Sequence, residues 1–258
     1  MIGNFSRRLA VALFLFAVLV IAPVARAEAV SNIVATPATI DIGAQYDGTT
    51  LQVSGTIPSG SEVIVRFSGE PATLHLREKG KVFGMLWMNV GKVSLSRVPS
   101  VCLIDSSSDL ARQGEGAMPY RLQGLRHTIT VDEHTGSTGI DVIDELLLLK
   151  RQAGLYAENS GGVQLQPEGV GGRGFKTSLH IPSALPPGNY HVEAIALRDG
   201  AVVGKATAPV KASLAGFPLW LSQLAFKHSL LYGVLATLIA IASGLLIGFI
   251  FQSRGGAH

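Results

Sequence analysis

Residues 229–251, SLLYGVLATLIAIASGLLIGFIF, carry no charged side chain. As a helix they extend about 34 Å, enough to cross a bilayer hydrocarbon core with some tilt. Lys227 and His228 precede the run and Arg254 follows it. A segment of this kind admits one economical conformation in lipid, a helix that satisfies its own backbone hydrogen bonds. It therefore divides the chain into a large part on one side of a membrane and a short tail on the other.

The opposite end sets the direction. Arg7 and Arg8 begin a short apolar stretch from Leu9 to Ala22, and Ala25-Arg26-Ala27 offers small residues for cleavage before Glu28. This is the pattern of a secretory leader over residues 1–27, preferred to an uncleaved first membrane helix because the run is short for spanning. Ser6-Arg7-Arg8-Leu9 matches a twin-arginine signal only in part. The expected topology is a periplasmic domain, one crossing of the bacterial cytoplasmic membrane, and a cytoplasmic tail over residues 252–258. Charge bias adds little, because Arg254 is opposed by Lys227.

Once Arg7, Arg8 and Arg26 leave with the leader, 18 basic side chains face 18 acidic ones. A neutral exported domain argues against nucleic acid as a partner and against attraction of the whole domain to anionic lipid. About 190 exported residues make one large domain or two small ones. Cys102 is the single cysteine, so no internal disulfide supports the core.

Residues 28–104 read as a β region. Thr50–Ser54 and Glu62–Phe67 alternate with period two, separated by a Pro58-Ser59-Gly60 turn. Thr73–Arg77 is a further strand. Glu78-Lys79-Gly80-Lys81 reads as a hairpin turn into Val82–Val90, and Val101–Ile104 as the last strand. Residues 105–159 change character. Ser106–Asp109 suits a helix cap, and Thr138 with Asp141 resembles a capping box. Ile140, Ile143, Leu147 and Tyr156 make an apolar helical face up to about Ala157, and the apolar Leu146–Leu149 run suggests packing between β parts. Asp141, Asp144 and Glu145 early, with Lys150 and Arg151 late, match the helix dipole. Strands return over residues 160–213. The fold class expected is mainly β: an antiparallel, immunoglobulin-like sandwich of one or two units with a helical insertion, plus the terminal membrane helix. Tyr190, after Pro186-Pro187-Gly188, is either the tyrosine that ties down a sandwich corner or an ordinary half-buried strand residue. Ile57-Pro58-Ser59 and Ile181-Pro182-Ser183 hint at two related units.

The juxtamembrane residues 214–228 hold Phe217, Trp220 and Phe226, which with Tyr232 form an interfacial aromatic group.

Chemical motifs are weak. Gly169-Val170-Gly171-Gly172-Arg173-Gly174 matches a dinucleotide-binding pattern, but Phe175–Ile181 alternates as a strand where that motif needs a helix, so a hairpin loop is the better reading. His127, Asp132, Glu133 and His134 lack helical metal-ligand spacing and read as a solvated face. His180 and His191 are offered as residues of neighbouring strands. Cys102 lies in an apolar run with only Arg97 as a nearby base; a buried core cysteine is preferred to a reactive thiol. No cofactor is implied, and no metal or catalytic residue is assigned.

Ala236, Ala240, Gly244 and Gly248 recur four apart along the membrane segment. Small residues at this spacing let a second helix approach closely. They make a candidate packing face toward an integral membrane partner or a second copy.

Three further stretches, Val98-Pro99-Ser100, Lys150–Tyr156 and Leu185–Glu193, with Tyr232-Gly233 opening the membrane helix, resemble the Alph_Pro_TM family of transmembrane proteins described mainly from alphaproteobacteria. The resemblance covers nearly the whole chain. It implies an envelope protein found in the company of sulfite-exporter-like permeases, and it brings no catalytic residues. The function expected is that of a membrane-anchored accessory or binding protein; the alternative is a thiol-dependent enzyme or sulfur carrier using Cys102.

Overall fold

The computed structural model describes residues 30–108, 114–136, 139, 141–169 and 171–252. The expected leader, Asp109, Thr138, Ile140, Val170 and the tail beyond Gln252 lie outside them. Along the described residues run β1 (Ser31–Thr36), β2 (Thr39–Ile42), β3 (Thr49–Ile57), β4 (Glu62–Gly69), β5 (Pro71–Val82), β6 (Leu86–Pro99) and β7 (Cys102–Ser106). Two short 3-10 turns, Glu115–Tyr120 and Leu122–Gly124, lead into α1 (Leu125–Thr128), β8 (Thr130–Thr135) and α2 (Val142–Gln152). Then come β9 (Tyr156–Ser160), β10 (Gln164–Gly169), β11 (Gly172–Ile181), β12 (Gly188–Arg198) and β13 (Ala201–Leu214), followed by α3 (Gly216–Lys227) and α4 (Ser229–Gln252).

A mainly β body with a terminal apolar helix is thus the architecture. A four-stranded sheet has the order β1-β3-β11-β10, and a six-stranded sheet the order β2-β13-β12-β4-β7-β9. Both draw strands from the two ends of the β body, so the ends share sheets. The Ile-Pro-Ser pair explains how. After Ile57 the Pro58 carbonyl accepts from Ser61 N, and after Ile181 the Pro182 carbonyl accepts from Leu185 N. Each turn carries the chain from the four-stranded sheet to the six-stranded one. β3 pairs with β11 and β4 with β12, both antiparallel. The similarity noticed in sequence is therefore that of two interleaved strand pairs. The expectation of a wholly antiparallel sandwich needs correction at the edges, where β2 runs parallel to β13 and β9 parallel to β7.

Alternation divides the six-stranded sheet between two cores. Val63, Val65 and Phe67 face the four-stranded sheet beside Leu51, Phe175 and Val192. Ile64 points the other way, with Cys102, Ile104, Tyr156 and Ile195, into a second core. A three-stranded sheet, β5-β6-β8, and the helical middle segment cover that second face. The alternation expected over Glu62–Phe67 needs correction, because β4, like β12, is buried on both faces, and Val63-Ile64-Val65 is therefore an unbroken apolar run. Each large apolar side chain moved fully from water contributes about 1.5–3 kcal/mol.

The middle of the chain differs from its reading. Asp141 is the N-cap of α2, its Oδ1 accepting from the backbone N–H groups of Ile143 and Asp144. The helix stops at Gln152, so Tyr156 belongs to a strand and not to the helical face. Its end is a Schellman motif: Gly154, at φ +69°, donates its N–H to Arg151 O, and Leu155 donates to Lys150 O. Only Leu146 and Leu147 are buried, whereas Leu148 and Leu149 are about half exposed, so α2 packs on one side.

The β5–β6 hairpin turns at Phe83-Gly84, where φ is positive at both residues, past the expected Glu78–Lys81, which lies within β5.

Candidate functional site

The three stretches that carried the family resemblance converge at the seam between the six- and three-stranded sheets. Tyr156, directly after the α2 stop, donates its hydroxyl to Pro99 O at 2.7 Å, and Lys150 Nζ donates to Ser100 O at 3.1 Å. Cys102 N donates to Leu155 O at 3.0 Å. Tyr190 stacks on Phe67 with centroids 5.1 Å apart and donates its hydroxyl to Pro186 O, four residues upstream. That back-bond is the corner arrangement and decides between the two readings of Tyr190. Burial lowers the Lys150 pKa from its ordinary value and raises that of Tyr156.

Next to this junction lies a cavity of about 230 Å³ lined by Arg66, Ser68, Arg97, Cys102, Leu125 and His191, among others. Strand register places its polar wall. Ser68 is opposite His191 and Arg66 is opposite Glu193 on the adjoining strand. Ser68 Oγ and His191 Nε2 are 2.9 Å apart. Arg66 Nε donates to Glu193 Oε2 at 2.9 Å, and Lys205 Nζ reaches Glu193 Oε1 at 2.8 Å. Burial pushes the Glu193 carboxyl up, but Lys205 and Arg66 outweigh it and hold its pKa below the usual value. The ring of Tyr120 lies under both cations, 5.5 Å from each. Arg66 and Arg97 both line the cavity with Ser68 and His191, so this wall is rich in donors. Its chemistry suits an acceptor-bearing group more than a nucleophilic attack.

Cys102 is 1% exposed, and burial pushes its thiol up to about 12. The thiolate is the nucleophilic form, so near neutrality this side chain acts as apolar filling. A second cavity, about 640 Å³, opens at the sandwich edge among Gln52, Asp105, Asn159, Gln164, Lys176 and Thr177.

The remaining predicted residues are scattered. Gly169 and Gly172 pair across the β10–β11 hairpin, and Phe175 continues β11, so a strand follows the glycine residues where a dinucleotide-binding motif needs a helix. His180 and His191 lie in different sheets, not on neighbouring strands. His127 sits in α1, and Asp132, Glu133 and His134 lie along β8, where Asp132 accepts from Ser96 Oγ at 3.0 Å. Phe217 stacks on Trp220 in α3, at 5.7 Å, and Phe226 closes that helix fully in the open. Tyr232 begins α4.

α4 is the one helix among the described residues long and apolar enough to cross a membrane. None of its residues is buried. Ala236, Ala240, Gly244 and Gly248 lie on it, and a Cβ built at either glycine meets nothing within 4 Å. Gly244 and Gly248 share a shallow apolar groove with Leu245 and Phe249.

Sequence reading missed the seam residues Arg66 and Ser68, and it offered His191 beside His180, where the structure sets it against Ser68. Their only signal was polar character inside otherwise apolar strands. It also missed the exposed apolar tip of the β5–β6 hairpin.

A family model described as Putative transmembrane protein (Alph_Pro_TM) matches residues 32–253. No curated protein matches the chain.

Proposed function

The chain belongs to the Alph_Pro_TM family of transmembrane proteins, and from that premise we propose that it is a single-pass, membrane-tethered accessory or binding module without catalytic chemistry of its own. Its β body works in the periplasm, α4 crosses the bacterial cytoplasmic membrane once, and a short tail remains inside. We read the sandwich as immunoglobulin-like on the strength of the Tyr190 corner. The observation that carries the functional proposal is α4 itself: a membrane-length helix outside the protein core, whose small-residue row is left uncovered among the described residues. A plain anchor would serve equally well with leucine at those positions, whereas close helix approach needs small residues. The partner is an integral membrane protein, of the sulfite-exporter-like permease kind the family resemblance suggests, or a second copy.

The test is recovery of the full-length chain from its native membrane in mild detergent, with Gly244→Leu plus Gly248→Leu alongside. The wild type is expected to bring down a membrane partner or itself, and the double variant to lose it at an unchanged protein level. Equal association by both forms reduces α4 to an anchor. The thiol-dependent reading draws less support, because the Cys102 thiol is buried and held protonated.

A further inference from the structure

The β5–β6 hairpin outruns the body that supports it. Among the described residues β8 pairs with β6 only from Lys92 to Ser96, and Gly136 still stands against Gly91, so residues 79–90 project as a two-stranded ribbon. Four steps at about 3.3 Å carry Lys79 to Phe83, a reach of about 13 Å. The ribbon ends in apolar side chains. Phe83 is 89% exposed and Trp87 67%, and Met85, Leu86 and Met88 are each more than half exposed.

The register shows that this apolar surface wraps the tip. Val82 pairs with Leu86 and Gly80 with Met88, which sets Leu86 and Met88 on one face. Lys81 pairs with Trp87 on the other face, its Nζ 5.3 Å from the indole centroid. Phe83 and Met85 cap the turn. A protein partner docking on a ribbon covers one face, but this tip needs an environment that surrounds it. Charge points the same way. No acidic residue occurs between Lys79 and Ile104, and Lys79, Lys81 and Lys92 lie on the Trp87 side by register. A second copy would bring these lysines against one another. An anionic headgroup layer complements them, and an indole beside lysines suits the boundary between headgroups and acyl chains. The reach exceeds the roughly 5–10 Å at which interfacial elements seat. α3, about 18 Å long, is all that separates the β body from α4.

We propose that the hairpin tip around Phe83, Met85, Leu86, Trp87 and Met88 inserts into the interface of an anionic bilayer, with Lys79 and Lys81 at headgroup level. The inference rests on the reading of α4 as a membrane anchor. It gives the β body a second, electrostatically tuned membrane contact, even though the exported domain as a whole is neutral.

The chain has two tryptophans, Trp87 and Trp220, so Trp220→Phe leaves Trp87 as a single reporter. The full-length variant is reconstituted in phosphatidylcholine–phosphatidylglycerol vesicles, with flotation and carbonate resistance confirming the anchor separately. Trp87 emission is expected to shift blue, to resist acrylamide, and to fall about twofold with bromines on the acyl chains, as for an interfacial indole. Lys79→Gln plus Lys81→Gln is expected to weaken all three effects in these vesicles. Water-like emission with full acrylamide access in anchored protein overturns the proposal and leaves the anchor standing. Protection without bromine quenching assigns the tip to a protein contact and also overturns it. Unchanged quenching in the lysine variant refutes the role of anionic lipid. Protein that fails to float removes the anchor, and the proposal falls with it.

Discussion

Asp105 is 4% exposed, and its Oδ2 accepts from Thr177 Oγ1 at 2.5 Å, while Oδ1 has no hydrogen-bond partner among the described residues. A Cβ at Gly162 would stand 2.0 Å from that oxygen, so only glycine lets the loop close over it. Burial raises the carboxyl pKa, and the Thr177 hydrogen bond only partly opposes the rise. Between the ordinary aspartate value, about 3.9, and the raised folded value, the native state holds the proton more tightly than the unfolded chain. The stabilisation is full below the unfolded value and disappears as pH rises through the folded one. Asp105→Asn keeps the shape and removes the charge. It is expected to raise stability near neutral pH by about 1 kcal/mol and to leave the acid end little changed. Thermal melts from pH 4 to pH 8, followed by circular dichroism, check this. Nothing near Asp105 in the chain announces its burial, because Thr177 arrives from β11 and Gly162 from the loop between β9 and β10. Tyr190 was more legible, since the groups that define its corner lie within a few residues of it.

At the scale of elements, local chemistry sets boundaries well where it is self-contained. The α2 stop depends on Lys150–Leu155 alone, and Gly154 takes the left-handed φ that other residues adopt at a cost of about 1–2 kcal/mol. Gly154→Ala is expected to lose about 1 kcal/mol. It should also loosen the Tyr156–Pro99 and Lys150–Ser100 bonds built on that stop. Urea midpoints and amide exchange at Leu155 and Tyr156 measure the two effects. The β5–β6 turn was misplaced for a complementary reason. Lys79-Gly80-Lys81 has turn composition, whereas the real turn holds Phe83 at φ +53° beside Gly84. A ribbon standing clear of the core has no buried face, so apolar periodicity cannot report its register. The helical reading of Tyr156 failed because the spacing of apolar residues continues past Gly154 although the backbone does not.

For the whole molecule, the interleaving of β3–β4 with β11–β12 makes the two cores one cooperative unit. β4 and β12 neighbour each other in the six-stranded sheet, where residues of both reach each core. Amide exchange is therefore expected to be slowest along β4 and β12 and to require global unfolding there. It should be faster at the edge strands β2, β9 and β10 and fastest beyond Lys79 in the β5–β6 ribbon. Uniform protection across central and edge strands would contradict this layering.

The sequence by itself determined the membrane-length helix and the positions of most strands. Each of these is a property of contiguous residues, unbroken apolarity or alternation, whereas the stop of α2 at Gln152 and the choice between the two readings of Tyr190 came from the structure. Only the tertiary structure decided which strands share a sheet and that the six-stranded sheet is buried on both faces. It likewise decided that Cys102 is sealed and protonated, that Arg66, Glu193, Lys205 and Tyr120 form one cluster, and that the hairpin tip stands bare. The burial of Cys102 and the Arg66–Glu193 pair follow from pairings between strands distant in sequence, β7 with β4 and β9, and β4 with β12. The apolar and polar composition that any such pairing would bury or expose is nearly the same, so the choice among pairings is made by packing and register.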